Sequence, residues 1–385
     1  MTNFRNLLLC IPTFSIQQLP AVVLILPGVE NQLWSQSFSM NDVNIPHADQ
    51  GFAAWSAPGD EGLQLMSGRV ERITINTMGF KGFVVAPFEA KGNVSLIQPH
   101  HHLYLNADDL HSYSTRFSFY HKESNGLEAG AAQFQELVGK ALSDFRNEGI
   151  IKVVLSRTER WPLPPGFDPW KLFLQLIKRH PDAFVALISL PEYGTWIGAS
   201  PELLLRVEQQ GLETMAMAGT KPVAGADTFT DKERKEQQMV LDFILEKMEA
   251  QKVTGKATLA EIVQAGNILH LRSRITSETT ENWRQLLEAL HPTPAICGTP
   301  AFEANEYIRQ NEGYDRELYG GFWGPVTEEN RAMFYVNLRT MQVLQHEAWL
   351  YAGVGIIDGS EPEKEWEETV AKMETMKKAL QQYEQ

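Results

Sequence analysis

The first candidates for chemistry in this chain are acidic side chains in a segment with helical spacing. The segment DKERKEQQMVLDFILEKME begins at Asp231 and carries Glu236 three residues before an apolar pair. That spacing puts Glu236 on the inward side of a predicted helix, where an unpaired carboxylate is costly. The predicted buried stripe of this helix comprises Met239, Val240, Phe243 and Ile244. The simplest interpretation is a Glu at the stripe's edge that reaches solvent, because Glu is seldom buried without a partner.

A second acidic group lies near the C-terminus, in EPEKEWEETVAKMETM. Glu365, Glu368 and Lys372 are spaced i, i+3 and i+7 and therefore share one face of a predicted helix. The predicted apolar stripe comprises Trp366, Val370 and Met373. One interpretation is a solvated face with a Glu368–Lys372 ion pair worth only a few tenths of a kcal/mol. In the other, Glu236 and Glu368 jointly hold a hard cation, and oxygen ligands completed by water and substrate suit Mg²⁺. Spacing alone does not decide between the two.

Further candidates lie in segments with strand-like patterns. In IKVVL, Lys152 is either on an exposed face or partly buried, where burial favours the neutral amine and lets it act as a base. In YGTWIGASPE, Glu202 follows a glycine-rich stretch, and the simplest interpretation is a turn whose Glu faces solvent. The glycines of AGT at 218–220 and AGVGI at 352–356 either allow close backbone approach or form cradles for a carboxylate.

These side chains have to be positioned by a mixture of strands and helices. Apolar runs predict strands at 21–26, 62–66, 82–88, 150–155, 183–190, 203–208, 213–219, 332–340 and 348–357. Helical spacing predicts helices over 127–146, 168–178, from 231 onward, 282–290 and 363–383. Adjacent strands favour antiparallel pairing, so the predicted class is α+β. Because no linker interrupts the chain, we expect a single domain over 1–385, strand-rich over 1–126 and motif-bearing over about 127–380.

The charge balance limits the partners that the chain can have. The 385 residues include 34 Lys and Arg against 48 Asp and Glu, which gives a formal net charge of −14. A surface this acidic does not attract nucleic acid or anionic lipid, so we expect neither a nucleic acid nor a membrane as partner. An anionic ligand would need local positive charge or a bound cation at its site.

Cysteine usage and the N-terminal segment predict a cytoplasmic protein. The two cysteines, Cys10 and Cys297, form neither a metal-type spacing nor a disulfide framework, which favours a reducing compartment. The most apolar N-terminal stretch, 7–29, contains three prolines and two glutamines. It is too interrupted to span a bilayer and has no signal-peptide cleavage pattern.

A series of ordered segments is more specific than any of these features alone. It comprises KVVLSR (152–157), GASPELLL (198–205), AGTKP (218–222), KERKE (232–236), LHL (269–271), LHPTPAICGTP (290–300), DRELYGGFWG (315–324), NLRTM (337–341), AGVGI (352–356) and EWEETVAKM (365–373). The series resembles the chorismate-utilising enzymes over about residues 127–380 and is most similar to the isochorismate synthases among them. The resemblance implies two packed antiparallel β-sheets surrounded by helices, with the active site between them.

The resemblance also implies a reaction and a role for each matching residue. It implies Mg²⁺-dependent isomerisation of chorismate to isochorismate, in which water attacks C2 and the C4 hydroxyl leaves. Lys152 matches the general base, Glu202 the general acid, and Glu236 and Glu368 the Mg²⁺ ligands, with Glu365 nearby through water. The positions that match the substrate lining are Gly219, Thr220, His270, Ala295, Arg339, Gly353 and Lys372. Gln237 departs from the family pattern, which has His or Asn there, so the surroundings of the metal ligand are in doubt.

Three alternatives remain to be compared with this prediction. Ammonia-using relatives, the anthranilate and aminodeoxychorismate synthases, typically carry Gln where this chain has Lys152, so we expect no obligatory glutamine amidotransferase partner. Salicylate synthases share the lysine but usually read HPS-x-T-A-S-G where this chain reads HPTPAICG at 291–298. A non-catalytic, anion-binding regulatory protein would be expected to have lost at least one acid, base or metal position, and all of them are present. The sequence leaves open whether the product serves menaquinone or siderophore formation.

Overall fold

A computed structural model describes residues 23–24, 50–106, 118–123, 126–223 and 229–383. Cys10, the stretch 7–29 apart from two residues, and most of the strand predicted at 21–26 lie outside the described residues. Within them, no helix has the length and apolar character needed to cross a membrane.

The described residues form eighteen strands and six helices. The strands are β1 (Val23–Leu24), β2 (Gln50–Ser56), β3 (Gly62–Thr74), β4 (Gly82–Ala86), β5 (Asn93–Asn106), β6 (Lys152–Pro162), β7 (Phe184–Leu190), β8 (Gly194–Ser200), β9 (Leu203–Glu208), β10 (Gly211–Pro222), β11 (Lys256–Ala257), β12 (Glu261–Ala265), β13 (Ile268–Ser277), β14 (Gly298–Thr299), β15 (Phe322–Glu328), β16 (Arg331–Val336), β17 (Thr340–Val343) and β18 (Glu347–Ile357). The helices are α1 (Ala131–Glu148), α2 (Pro169–Arg179), α3 (Asp231–Ala250), α4 (Trp283–Leu290), α5 (Ala301–Asn311) and α6 (Pro362–Tyr383).

The strands pair antiparallel and form two sheets that face each other. One sheet runs β14–β6–β18–β17–β8–β7–β2–β3, and the other runs β4–β15–β16–β9–β10–β13. Strand β5 pairs with both β3 and β4 and joins the two sheets into one hydrogen-bonded network. The predicted α+β class, with antiparallel sheets and surrounding helices, is confirmed.

Aromatic residues fill the space between the sheets, and helices cover the outside. The ring of Phe184 on β7 stacks on that of Tyr335 on β16, with 4.6 Å between the centroids. The ring centroids of Trp55 on β2 and Phe83 on β4 lie 4.9 Å apart. On the outside, α2 and α6 share an apolar cluster with β7 and β8, while α1, α3, α4 and α5 share another with β9 and β10. The sheets are therefore fixed relative to each other by a buried aromatic layer.

Local signals mark the start of α2 and the end of α1. The side chain of Asp168 accepts a hydrogen bond from Trp170 N at 2.9 Å, and proline follows it at the first position of α2. Helix α1 ends at Gly149, whose φ of 67° is the left-handed conformation that glycine adopts readily. It starts at Ala131, so the predicted start at 127 was four residues early. Helix α5 was not predicted, because only Ala304, Tyr307 and Ile308 of its residues are buried.

Two predictions for strands were wrong in ways that matter for the site. The single strand predicted over 332–340 is divided into β16 and β17, because the backbone leaves the strand conformation at Arg339, where φ is 48°. The segment 194–200, interpreted as part of a turn, is the buried strand β8, and only Pro201 and Glu202 connect it to β9.

A buried ion pair connects three parts of the chain near β6. Glu312 and Arg316 are both almost fully buried, and Arg316 Nε donates to Glu312 Oε2 at 2.8 Å. The same guanidinium donates to the carbonyl oxygens of Val154 at 2.7 Å and Ile296 at 3.0 Å. Ser156 N donates to Glu312 at 2.6 Å. Arg316 therefore holds the segment before α5 against β6.

Replacing Arg316 by Met should lower the free energy of unfolding by about 3–5 kcal/mol, because Glu312 would remain buried without a cation. Urea denaturation followed by circular dichroism measures this loss. The double variant Arg316→Met, Glu312→Gln is the control, since it removes both charges and should recover part of the stability. Equal losses in the two variants would show that the ion pair is not the source of the effect.

Candidate active site

A cavity at one end of the two-sheet core brings most of the predicted site residues together. About 680 Å³ of empty space lies within it, a figure that includes space open to solvent. Nine of the twelve predicted residues line it: Glu202, Gly219, Thr220, Glu236, His270, Ala295, Arg339, Gly353 and Lys372. Of the other three, Lys152 and Glu368 form ion pairs with lining residues, and Glu365 lies one turn before Glu368 on α6.

The lysine of this site is completely buried at the start of β6. The ammonium of Lys152 lies 2.8 Å from Glu236 Oε1, although the geometry is not that of a directed hydrogen bond. Gly355 on β18 makes this contact possible. A Cβ atom at Gly355 would lie 2.4 Å from Glu236 Oε1 and 2.8 Å from Lys152 Cε. Because Gly355 has no side chain, Lys152 of β6 and Glu236 of α3 can come into contact beside β18.

The glutamate of this site has the properties of a proton donor. Glu202 is 5% exposed and lies in the connection between β8 and β9. Burial raises the pKa of its carboxyl from 4.5 to about 7, although the positive charges of Lys152, Lys372 and Arg339 oppose the shift. The solvent-facing turn suggested by the simplest interpretation of the sequence was wrong. Near neutral pH a large fraction of Glu202 holds a proton.

A histidine and an arginine form the next part of the cavity wall. Burial lowers the pKa of His270 well below its usual value, and the charges of Arg339 and Lys372 act in the same direction. The imidazole is therefore neutral at pH 7. Arg339 Nη2 lies 3.3 Å from His270 Nε2, which assigns the acceptor role to Nε2 and the proton to Nδ1. Burial also lowers the pKa of Arg339 to about 10, so its guanidinium remains a cation.

Three lysine–carboxylate pairs involve residues of β6, α3 and α6, and two of the pairs include a residue that lines the cavity. Beside the Lys152–Glu236 contact, Lys372 Nζ lies 2.7 Å from Glu368 Oε1 and donates to Gly353 O at 2.9 Å. Lys232 Nζ donates to Glu365 Oε1 at 2.7 Å. The carboxylate cluster, which we define as Glu236, Glu365 and Glu368, is thus matched by an equal number of ammonium groups.

The carboxylate oxygens of the cluster are of the kind that a hard divalent cation binds, although the described side chains are not arranged around a metal position. Within the described ranges, no group of three or more His, Cys, Asp or Glu side chains is arranged as metal ligands. Burial alone would lower the pKa of Lys232, but the three surrounding carboxylates raise it above its usual value. These carboxylates therefore already act together on one cation. Oxygen donors with room for water and substrate are what Mg²⁺ requires.

Both acidic helices differ in detail from the sequence interpretation. The buried residues of α3 are Gln237, Val240, Ile244 and Met248. Gln237 donates to Ser273 Oγ at 3.1 Å, so the departure from the family pattern faces β13 and does not line the cavity. On α6, the buried face contains Glu365 itself, whereas Trp366 is partly buried and packs against the guanidinium of Arg157. The predicted Glu368–Lys372 pair is present.

The sequence interpretation gave no role to several residues of the site. Tyr319 and Tyr351 line the cavity with their rings stacked at 5.4 Å, and Pro201, Met217 and Leu338 complete the apolar wall. Lys232 also received no role, whereas Gly355 belongs to AGVGI, whose glycines were interpreted as allowing close backbone approach or forming a cradle. All but Met217 and Tyr351 lie within the ten segments that carry the resemblance, so position in a motif was the available signal.

Replacing Glu202 by Gln should change how stability depends on pH. Because the folded-state pKa of about 7 exceeds the ordinary 4.5, the folded protein binds this proton more tightly. Its contribution to stability is therefore full below about pH 4.5 and is lost as the pH rises to about 7. Urea unfolding gives the free energy of unfolding at pH 5 and at pH 8. We expect this free energy to decrease less from pH 5 to pH 8 in Glu202→Gln than in the wild type. The exposed Glu208→Gln on β9 is the control and should match the wild type; the same pH dependence in all three proteins would contradict the assignment.

Comparison with known proteins gives consistent matches. Residues 73–381 match the sequence pattern of the chorismate binding enzyme family. The chain is 33% identical over 262 residues to the salicylate biosynthesis isochorismate synthase of Pseudomonas aeruginosa, covering 64% of this chain and 54% of that protein. It is 28% identical over 256 residues to isochorismate synthase EntC of Escherichia coli K12, and the match covers 63% of this chain and 66% of that protein. The chain thus aligns with about half to two thirds of these relatives.

The fold is similar to that of a solved structure described as a putative 2,3-dihydroxybenzoate-specific isochorismate synthase, DhbC from Bacillus anthracis. The TM-score is 0.73 at 23% identity, and the match covers 89% of this chain and 98% of that one. This likeness concerns the fold. It agrees with the two-sheet arrangement around the cavity.

Proposed function

The chain belongs to the chorismate binding enzyme family, and we propose that it is an isochorismate synthase, a Mg²⁺-dependent isomerase that converts chorismate to isochorismate. The observation that carries this proposal is the buried carboxyl of Glu202, which lies in the same cavity as Glu236, the partner of the buried Lys152. Burial raises the pKa of Glu202 to about 7, so a part of it holds a proton near neutral pH. The names of the two curated relatives support the proposal.

The positive charges of the cavity suit a dianionic substrate. Chorismate carries two carboxylates, and the protein has a net charge of −14, so binding needs local cations. Arg339 and Lys372 both line the cavity and can pair with one carboxylate. The left-handed Gly219, with φ of 70°, and Gly353 bring backbone close to the cavity without a side chain. A Cβ on Gly353 would lie 2.8 Å from the hydroxyl of Tyr319.

The proposed cation would be held by Glu236 and Glu368, with Glu365 contacting it through water. When bound, Mg²⁺ supplies positive charge for the other carboxylate of the substrate. The ligands are all oxygen atoms of the carboxylate cluster, and this is the chemical basis for choosing a hard cation.

Lys152 and Glu202 move the protons of the proposed reaction. The ammonium of Lys152 must first lose its proton to solvent. The resulting amine takes a proton from water as the water oxygen bonds to C2 of the ring. The double bonds shift, the bond from C4 to its hydroxyl oxygen breaks, and Glu202 gives its proton to that oxygen, which leaves as water. One water enters and one leaves, so the conversion is an isomerisation. An acid whose pKa is raised by burial, as that of Glu202 is, is what protonation of the leaving hydroxyl needs.

The choice of water as nucleophile separates this proposal from the related activities. Lys152 stands where ammonia-using relatives typically have Gln, so the proposed enzyme needs no glutamine amidotransferase. Salicylate synthase activity is the second candidate within the family, because elimination of pyruvate from isochorismate could follow in the same cavity. The products distinguish the two.

Incubation of the wild type with chorismate and Mg²⁺ should give isochorismate, with neither salicylate nor pyruvate as a main product. Lys152→Arg should lose at least about 100-fold in turnover, because a guanidinium does not give up its proton in this pH range. Chromatography that resolves isochorismate, salicylate and pyruvate measures both results.

The control for this experiment is Lys171→Arg, which changes an exposed lysine of α2 and should keep wild-type turnover. Salicylate and pyruvate from the wild type would favour the second candidate. Substantial isochorismate formation by Lys152→Arg would mean that the residue orients water by its charge and is not the base.

A further inference from the structure

Lys232 is a cation placed among the side chains proposed to bind Mg²⁺. It is the second residue of α3, and Glu236 follows it at i+4, on the same side of the helix. Its ammonium lies 2.7 Å from Glu365 Oε1 on α6. The side chain of Lys232 is 34% exposed, whereas that of Glu365 is only 4% exposed. The lysine thus bridges the two helices that carry the carboxylate cluster.

The position is unfavourable for a lysine unless the surrounding carboxylates compensate for it. The first turn of a helix carries partial positive charge and favours acidic side chains. Asp231 and Glu233 of α3 follow that rule, and Lys232 between them does not. The compensation comes from Glu365, with further attraction from Glu236 and Glu368. Lys232 and Glu365 therefore stabilise each other, and Glu236 and Glu368 add to the attraction on Lys232.

The other two lysines of the site already have roles in the proposed reaction. Lys152 pairs with Glu236 and is the proposed base, and Lys372 pairs with Glu368 and lines the substrate cavity. Lys232 does not line the cavity that holds the substrate residues. Its contact with Glu365, together with the charges of Glu236 and Glu368 that act on it, connects Lys232 to the side chains proposed to hold the cation.

We propose that Lys232 is a built-in cation that neutralises the carboxylate cluster in the metal-free protein and competes with the divalent cation for it. This inference rests on the proposed function in its assignment of the cluster to Mg²⁺. A dication bound by Glu236 and Glu368 would repel the ammonium of Lys232. This repulsion would weaken the ion pair between Lys232 and Glu365. Lys232 thereby keeps α3 and α6 together without metal and lowers the affinity of the site for metal.

The test uses the full chain and compares the wild type with Lys232→Met, which keeps the side-chain length and removes the charge. Lys235→Met is the matched control, because it removes the same charge from an exposed position of the same helix. Isothermal titration with Mg²⁺, and titration with Mn²⁺ followed by electron paramagnetic resonance, give the dissociation constants. Thermal unfolding in EDTA and in saturating Mg²⁺ gives the stability of each state.

We expect Lys232→Met to bind Mg²⁺ about tenfold more tightly than the wild type, since an ammonium and a dication a few ångströms apart repel even at an effective dielectric constant of about 20. In EDTA its melting temperature should fall below that of the wild type and of Lys235→Met. Saturating Mg²⁺ should remove this difference. Lys232→Gln should behave like Lys232→Met, and it provides the measurement if the Met variant does not fold in EDTA.

The contrary outcomes separate this inference from the proposed function. Unchanged or weaker Mg²⁺ binding by both Lys232 variants, with binding by the wild type that depends on Glu236, would overturn the role of Lys232 and leave the proposed metal site intact. Instability of both variants in EDTA and Mg²⁺ alike, with an unchanged dissociation constant, would overturn it in favour of a purely structural ion pair. Failure of the wild type to bind either cation would overturn the proposed metal site and this inference together.

Discussion

Burial of charge is the constraint on which the active-site region depends. Lys152 is completely removed from solvent, and a charge so placed is tolerated only beside an opposite charge. The three lysine–carboxylate pairs meet this requirement, and they bring together groups from β6, α3 and α6 that are distant in sequence. Glu202 lies in the same cavity, where burial raises the pKa of its carboxyl to about 7, so a part of it is protonated near neutral pH. Desolvation thus favours the protonated form of Glu202, whereas the lysine and glutamate charges are tolerated because each has an opposite charge beside it.

Two features of the backbone make this arrangement possible: a glycine that leaves space on a strand, and a residue at which the chain leaves the strand conformation. Gly355 leaves room on β18 for the meeting of Lys152 and Glu236, and Arg339 reaches His270 because the chain leaves the strand conformation between β16 and β17. The aromatic layer between the sheets holds these strands in fixed relation. Arg316, through the carbonyls of Ile296 and Val154, holds the segment before α5 against β6. The strands β2 to β5 from the N-terminal part complete both sheets, so the cavity is supported by most of the described chain.

The sequence predicted the elements better than it predicted the surroundings of individual charges. Periodicity located α2 and α6 closely, whereas α5 has too few buried residues to show a pattern. Glu365 illustrates why charges are harder. Its helical face looked solvated, yet Lys232 from another helix neutralises it and permits its burial, and such a partner is not visible in local spacing. Arg339 was assigned to a continuous strand because the left-handed conformation that takes it out of the strand comes from tertiary contacts. Nine predicted residues line one cavity. The prediction that they share a site came from the motif resemblance and could not have been derived from periodicity.

The central claim is that this cavity adds water at C2 of chorismate while the C4 hydroxyl leaves. The most direct measurement is to incubate the protein with chorismate and Mg²⁺ in water enriched in heavy oxygen and to analyse the product by mass spectrometry. The account predicts isochorismate in which the hydroxyl at C2 carries the heavy isotope. Isochorismate without the label would contradict it, because the hydroxyl would then have moved within the substrate and neither Lys152 nor Glu202 would have the proposed role.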